Sequence, residues 1–152
     1  MRSTRAARVA SILAVVLVFL AASILLARVL AANGVERSAL ISLAQSQARG
    51  DEQAILRRLR GCAASAACRA SVRAALPRLR RAGKVRVLRL DESTSFTLSD
   101  HTGTARIAWN TPSAAARPAV ECVTVQRRGN PFGAMSVELD GVRELPNPQD
   151  AC

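Results

Sequence analysis

RAGKVRVLRL, residues 81–90, divides the chain. Upstream of it, apolar residues recur at helical spacing. Downstream, Val85 and Val87 alternate with charged neighbours, a period of two that belongs to a strand. Gly83 marks the end of the helical half. The step from Val87 to Leu88 and Leu90 breaks the alternation by one residue and predicts a β-bulge. Helices followed by strands, with no return to helix, give an α+β domain built on an antiparallel sheet.

Working downstream, STSFTLS alternates on Phe96 and Leu98, and SDHTG (99–103) carries turn residues. TARIAWN puts Ile107 and Trp109 on one face. TPSAAARP is a loop bounded by Pro112 and Pro118, and AVECVTVQRR is a strand. GNPFG is a further turn, and AMSVELDGVREL closes the sheet on Val137, Leu139, Val142 and Leu145. Four or five strands are expected over 84–145, ending in a tail at 146–152.

Working upstream, CRASVRAALPRLRRAG predicts a helix on Val72, Leu76 and Leu79, which Pro77 kinks or ends. DEQAILRRLRG predicts a shorter one, capped by Asp51, with Ile55, Leu56 and Leu59 inward and Arg57, Arg58 and Arg60 outward. VERSALISLAQSQARG predicts another, with Val35, Leu40, Ile41, Leu43 and Ala44 near one side and Gly50 as its stop. The helical part thus covers 36–82, and two or three helices pack on the sheet. Asn33-Gly34 reads as a flexible joint before it.

The N-terminus is of another kind. Residues 1–8 carry Arg2, Arg5 and Arg8 and no acid, and VASILAVVLVFLAASILLA (9–27) has no charge. As a helix that run spans about 28 Å, close to the hydrocarbon thickness of a bilayer. It is apolar all round, which suits lipid. The excess of arginine before it favours a cytoplasmic 1–8, a transmembrane signal anchor over 9–31 and an outward C-terminal domain. Arg28 can snorkel to the far headgroups. A cleaved signal peptide, cut after Val29-Leu30-Ala31, competes. The apolar run exceeds the about 7–15 residues such peptides use, and Arg28 interrupts the approach to the cut. A buried soluble helix is the third reading; length and the lack of a polar stripe argue against it.

That placement decides how the four cysteines are read. Outside the cytoplasm thiols tend to be oxidised, and an even set admits three pairings. Cys62 with Cys68 and Cys122 with Cys152 is the local choice. A straight helix would hold Cys62 and Cys68 about 9 Å apart, beyond disulfide reach, so the helix must break between them, and Gly61 supplies the signal. The second bridge would tie down the PNPQDA tail. Spacings of five and twenty-nine intervening residues, with His101 the single histidine, do not suit zinc or a C-x-x-C redox pair. No metal or cofactor is expected.

No segment names a reaction. Ser99, Asp100 and His101 are consecutive and cannot converge as a triad. Asp91 and Glu92 would point to opposite faces of an extended strand, and Glu138 and Asp140 would share one with no acidic partner strand in view. Trp109 reads as a core residue. Net charge is +11, and beyond residue 32 it is about +7, from 18 basic and 11 acidic side chains. A GC-rich coding bias towards arginine and alanine accounts for much of it. Arg57, Arg58, Arg60, Arg78, Arg80 and Arg81 remain candidates for contact with anionic lipid or an anionic wall polymer. Three phenylalanines and one tryptophan give little for stacking on bases, which disfavours nucleic acid as a partner.

Two family resemblances bear on the fold. The order of ARGDEQAILRRL, GKVRVLRL, TGTARIAWN, PAVECVTVQRR and AMSVELDGVREL resembles the small extracytoplasmic NTF2-like (cystatin-like) domains of bacterial membrane proteins, over about residues 36–145. The resemblance implies a curved antiparallel sheet forming a cone-shaped cavity with the helices. The acids and histidines that family enzymes place in the cone are not matched residue by residue. A long apolar helix before a small sheet with a C-terminal cysteine pair also resembles type IV pilins and pseudopilins, although their glutamate inside the apolar run is missing from 9–35. The expected role is a non-catalytic, envelope-associated binding or accessory module, with another envelope protein as a candidate partner. A pilin-like subunit and a cavity enzyme or binder are the alternatives.

Overall fold

In the computed structural model, which describes residues 2–93, 101–113, 117–129, 136–147 and 149–152, one helix carries the apolar N-terminal run into the folded domain. This helix, α1 (Arg2–Arg49), has 48 residues and so a length of about 72 Å. Its apolar run stands clear of the fold, with Ile12, Leu17, Phe19 and Leu30 all exposed. The most apolar 18-residue stretch has a mean hydropathy of 2.8, so α1 is long and apolar enough to cross a membrane. In its last four turns the pattern changes to Leu40, Leu43, Ala44, Gln47 and Ala48, all buried, the i, i+3, i+4, i+7, i+8 stripe of a helix laid on a core.

The joint expected at Asn33-Gly34 is not there: α1 runs through both residues. A glycine within a helix costs only about 1 kcal/mol relative to alanine. Packing of the flanking turns outweighs that, since Glu36 and Leu40, on either side of the first domain turn, are fully buried.

The true end of α1 is at Gly50, whose φ of 70° is open to glycine without strain. Its N–H donates to the Gln47 carbonyl at 2.9 Å and the next, from Asp51, to Ser46 at 3.0 Å, which satisfies two terminal carbonyls. Asp51 then caps α2 (Glu52–Arg58) by accepting the Ala54 N–H at 2.9 Å. Gly61 (φ 68°) turns the chain, and Ser65 caps α3 (Ala66–Leu79) by accepting the Cys68 N–H at 3.2 Å. The helix therefore does break between Cys62 and Cys68, and their Cα atoms lie 5.2 Å apart in a disulfide. Pro77 falls in the last turn of α3, which ends two residues later at Leu79.

Four antiparallel strands follow in the spatial order of the sequence: β1 (Arg86–Asp91), β2 (His101–Asn110), β3 (Ala119–Arg128) and β4 (Ser136–Glu144). The β1–β2 register slips between Val87 and Arg89, which turns Leu88 out to 56% exposure, the bulge that the broken alternation predicts. A second slip, between Thr124 and Val125, leaves Asp140 as the extra residue of β4. His101, Thr102 and Gly103 pair with Arg127, Gln126 and Val125, so the expected turn at 99–103 is strand from His101 onward; the ladder to β3 overrides local turn preference. Phe96, Leu98, Ser99, Asp100 and most of GNPFG lie outside the described residues.

The inner sheet face, with Ala105, Ile107, Trp109, Val123, Val125 and Leu139, packs against α1, Ile55, Leu59, Val72 and Leu79 to form the core. The outer face carries a small cluster of Val120, Cys122 and Leu145. There Cys122 and Cys152 are joined in a disulfide with Cα atoms 5.6 Å apart, fastening the end of the chain to β3.

Candidate functional site: a cavity over a buried carboxyl group

Alternation along β3 turns Glu121 inward with Val123 and Val125, and it is fully buried. Two donors meet it. The Gln47 amide, from the buried stripe of α1, donates Nε2–H to Oε1 at 2.8 Å. The Trp109 indole, from β2, donates Nε1–H to Oε2 at 3.3 Å. The Arg81 guanidinium lies over the other part of this group, 5.3 Å from the Trp109 ring centre, in cation–π range. Arg81 is held in place by its own N–H, which donates to the Ala48 carbonyl at 2.9 Å.

Burial pushes the Glu121 carboxyl up from 4.5 to about 7. The Trp109 and Gln47 hydrogen bonds and the Arg81 charge work against that rise, and the Glu144 carboxylate adds to it. Desolvation wins because two neutral hydrogen bonds do not replace the hydration of a carboxylate.

Glu121 forms part of the floor of a cavity of about 190 Å³. Its walls are mainly aliphatic: Ile55 from α2 and Leu59 just after it, Val72, Ala75, Leu76 and Leu79 from α3, and Val142 from β4, with Ser71 of α3 beside them. Glu144, the register partner of Glu121, stands at the half-exposed rim, where Arg78 pairs with it at 3.3 Å. Among the described lining residues, the buried polar atom without a hydrogen-bond partner is Oε1 of Gln47. Cys68 also lines the cavity, its sulfur committed to the disulfide.

The six candidate arginines meet different partners. Arg60 bridges Asp140 (2.7 Å) and Glu138 (3.4 Å), so both acids meet one guanidinium. Arg58 donates to the Ser42 carbonyl and the Ser46 hydroxyl of α1, and Arg57 flanks the same side, in a groove with Val35 and Ala39. Arg78 is at the cavity rim, Arg81 is over Trp109, and the Arg80 side chain packs against Gly50. Asp91 pairs with Arg89 on its own strand. Among the described residues, no three of His, Cys, Asp and Glu gather as a metal site.

A second buried polar group has no local signal in the sequence. Glu36 accepts from Arg127 Nε at 2.7 Å, from the Ser93 N–H at 2.8 Å and from the Ser93 hydroxyl at 2.9 Å, and Arg127 also reaches Asn33 at 3.0 Å. These partners are up to 94 residues apart, and nothing local in either segment announces the pairing. Glu121 was equally hidden: strand alternation alone places it on the core side of β3 with Val123, a face on which an acid is exceptional.

No protein-family model, curated protein or solved structure matches this chain.

Proposed function

We propose that the chain is a single-pass membrane protein with a cytoplasmic N-terminus and an α+β domain outside, acting as a non-catalytic binding or accessory module of the cell envelope. The observation that carries this reading is the continuity of α1, which passes from an exposed, uncharged apolar run into the core of a disulfide-bonded domain without a break. Such a helix sets the domain at a fixed distance from the bilayer. Gln47 is 19 residues past Arg28, so the cavity floor stands about 28 Å beyond the apolar run.

The same rise bears on the arginines. Arg58 is level with Ser42 and Ser46, and Arg81 with Ala48, about 21–30 Å past Arg28. Headgroups fill only about 5–8 Å on each side of the hydrocarbon. For an upright α1, an anionic wall polymer or an acidic partner protein therefore suits these side chains better than lipid.

Lys84, the single lysine, tests the topology. A membrane-impermeant amine reagent applied to right-side-out membrane vesicles should label Lys84 and spare the N-terminal amine. Labelling of Lys84 only after the vesicles are opened contradicts the reading.

The second reading, a pilin-like subunit of a surface or secretion assembly, is favoured by the half-exposed, half-packed α1 on a four-stranded antiparallel sheet. It requires a trimmed N-terminus and helix–helix assembly through residues 9–35. An intact Met1–Arg8 segment in protein taken from membranes removes it.

A further inference from the structure

We propose that the cavity between α3 and the β3–β4 edge is a binding site for a small aliphatic ammonium ion, whose N–H groups are received by Glu121 and the Gln47 carbonyl oxygen. This goes beyond the anchoring reading and does not depend on which way the chain crosses a membrane.

A carboxylate offers about four lone-pair sites, and Glu121 uses one on each oxygen, for Gln47 and Trp109. Beside it, Oε1 of Gln47 is buried and has no partner. A buried acceptor left unpaired has lost its hydration without a replacement, so a guest that supplies a donor recovers that loss. With Glu121 ionised, the form that binds a cation, the amide orientation is fixed, because a flip would aim the Gln47 carbonyl at the carboxylate.

Charge selects among donors. Glu121 and Glu144 lie opposite each other on β3 and β4; Arg78 pairs with Glu144 at the rim, so the carboxylate that a guest meets at the floor is Glu121. An anion is repelled there once Glu121 is ionised. A neutral hydrocarbon leaves the Gln47 oxygen bare, and an alcohol offers a single donor. An ammonium group offers three donors and the complementary charge. Shape selects the body. The walls are aliphatic, and the volume of about 190 Å³ exceeds the roughly 150 Å³ in which an apolar protein cavity holds benzene. A six-carbon ring with one ammonium group is thus the right scale.

Binding also draws on the titration of Glu121. The charged groups facing it are Glu144 from β4, with Arg78 of α3 paired to it, and Arg81 from the segment after α3; α1 contributes the neutral Gln47, and α2 with the residue that follows it only Ile55 and Leu59. An ammonium guest binds the ionised carboxyl, so its affinity rises with pH through the region near 7, about tenfold from pH 6 to pH 8.

Trp109 makes the test direct, because it is the only tryptophan, there is no tyrosine, and its indole N–H bonds Glu121. The full chain, with disulfides intact in uncharged detergent micelles, is titrated with cyclohexylammonium, cyclohexanol and cyclohexanecarboxylate while Trp109 fluorescence is followed. The expected result is a saturable change with cyclohexylammonium and at least about tenfold weaker responses to the other two. Glu121→Gln should weaken the ammonium response at least about tenfold. Ala75→Leu, which fills the cavity from α3 without touching the carboxyl, should do the same and keeps the test decisive if the first variant folds poorly. No saturable response, equal responses to all three probes, or a response that survives Ala75→Leu overturns the proposal.

Discussion

Arg127 of β3 donates its Nε–H to the carboxylate of Glu36 in α1 at 2.7 Å, across 91 residues of sequence, with side chains 5% and 0% exposed. The pair lies two turns past the end of the apolar run and fastens the sheet to the helix just where α1 enters the domain. With the packing of Leu40, Leu43 and Ala44 it ties α1 to the sheet.

Removing one partner strands the other charge in the core. Glu36→Ala or Arg127→Ala should lower unfolding free energy by about 3–5 kcal/mol, read from denaturant midpoints of the detergent-solubilised chain. The joint replacement Glu36→Met with Arg127→Leu should recover most of that loss, because an apolar pair has no charge to leave unpaired. Single variants within experimental error of the parent would show that the pair does not hold α1 to the sheet.

Glu121 makes stability depend on pH in an unusual direction for an acid. Its carboxyl is raised from 4.5 to about 7 on folding, so between those values the folded chain keeps a proton that the unfolded chain has lost. Its contribution is therefore complete below pH 4.5 and fades as pH rises to about 7. The lost share is about 3 kcal/mol. Glu121→Gln, which cannot titrate, should lack this slope. The difference between parent and variant, measured by urea unfolding at pH 5 and pH 8, isolates it from the other acids.

The two disulfides close loops of unequal size, six residues apart in one case and 30 in the other. Chain entropy gives about 2 kcal/mol for the short bridge and about 4 kcal/mol for the long one. Cys122→Ser with Cys152→Ser should thus lower the melting temperature more than Cys62→Ser with Cys68→Ser, although the long bridge holds down only an exposed tail.

Gly34 has open space where a side chain would go. Gly34→Ala should strengthen α1 by about 1 kcal/mol and slow amide exchange over residues 33–38. Unchanged exchange there would argue for the hinge that the sequence suggests.

That hinge signal rests on two residues alone. Local chemistry was legible: the change of period at Lys84, the stop at Gly50, the cap at Asp51, the slip at Leu88 and the break that brings Cys62 to Cys68 all rest on neighbouring residues. Asn33-Gly34 misled because its intrinsic preference is weak and the deciding contacts, Glu36 with Arg127 and Ser93, come from distant strands. The cavity floor was hidden for the same reason. Gln47, Trp109 and Glu121 belong to three elements, and only the register of β2 on β3 and the packing of α1 over both bring them together.

The central claim is an outward, oxidised domain on a membrane-crossing helix. Its most direct test is mass mapping of the cysteines in protein extracted from its own cells after immediate alkylation without reductant. The account predicts two linked peptide pairs, Cys62 with Cys68 and Cys122 with Cys152, and no alkylated cysteine. Four alkylated thiols would contradict it.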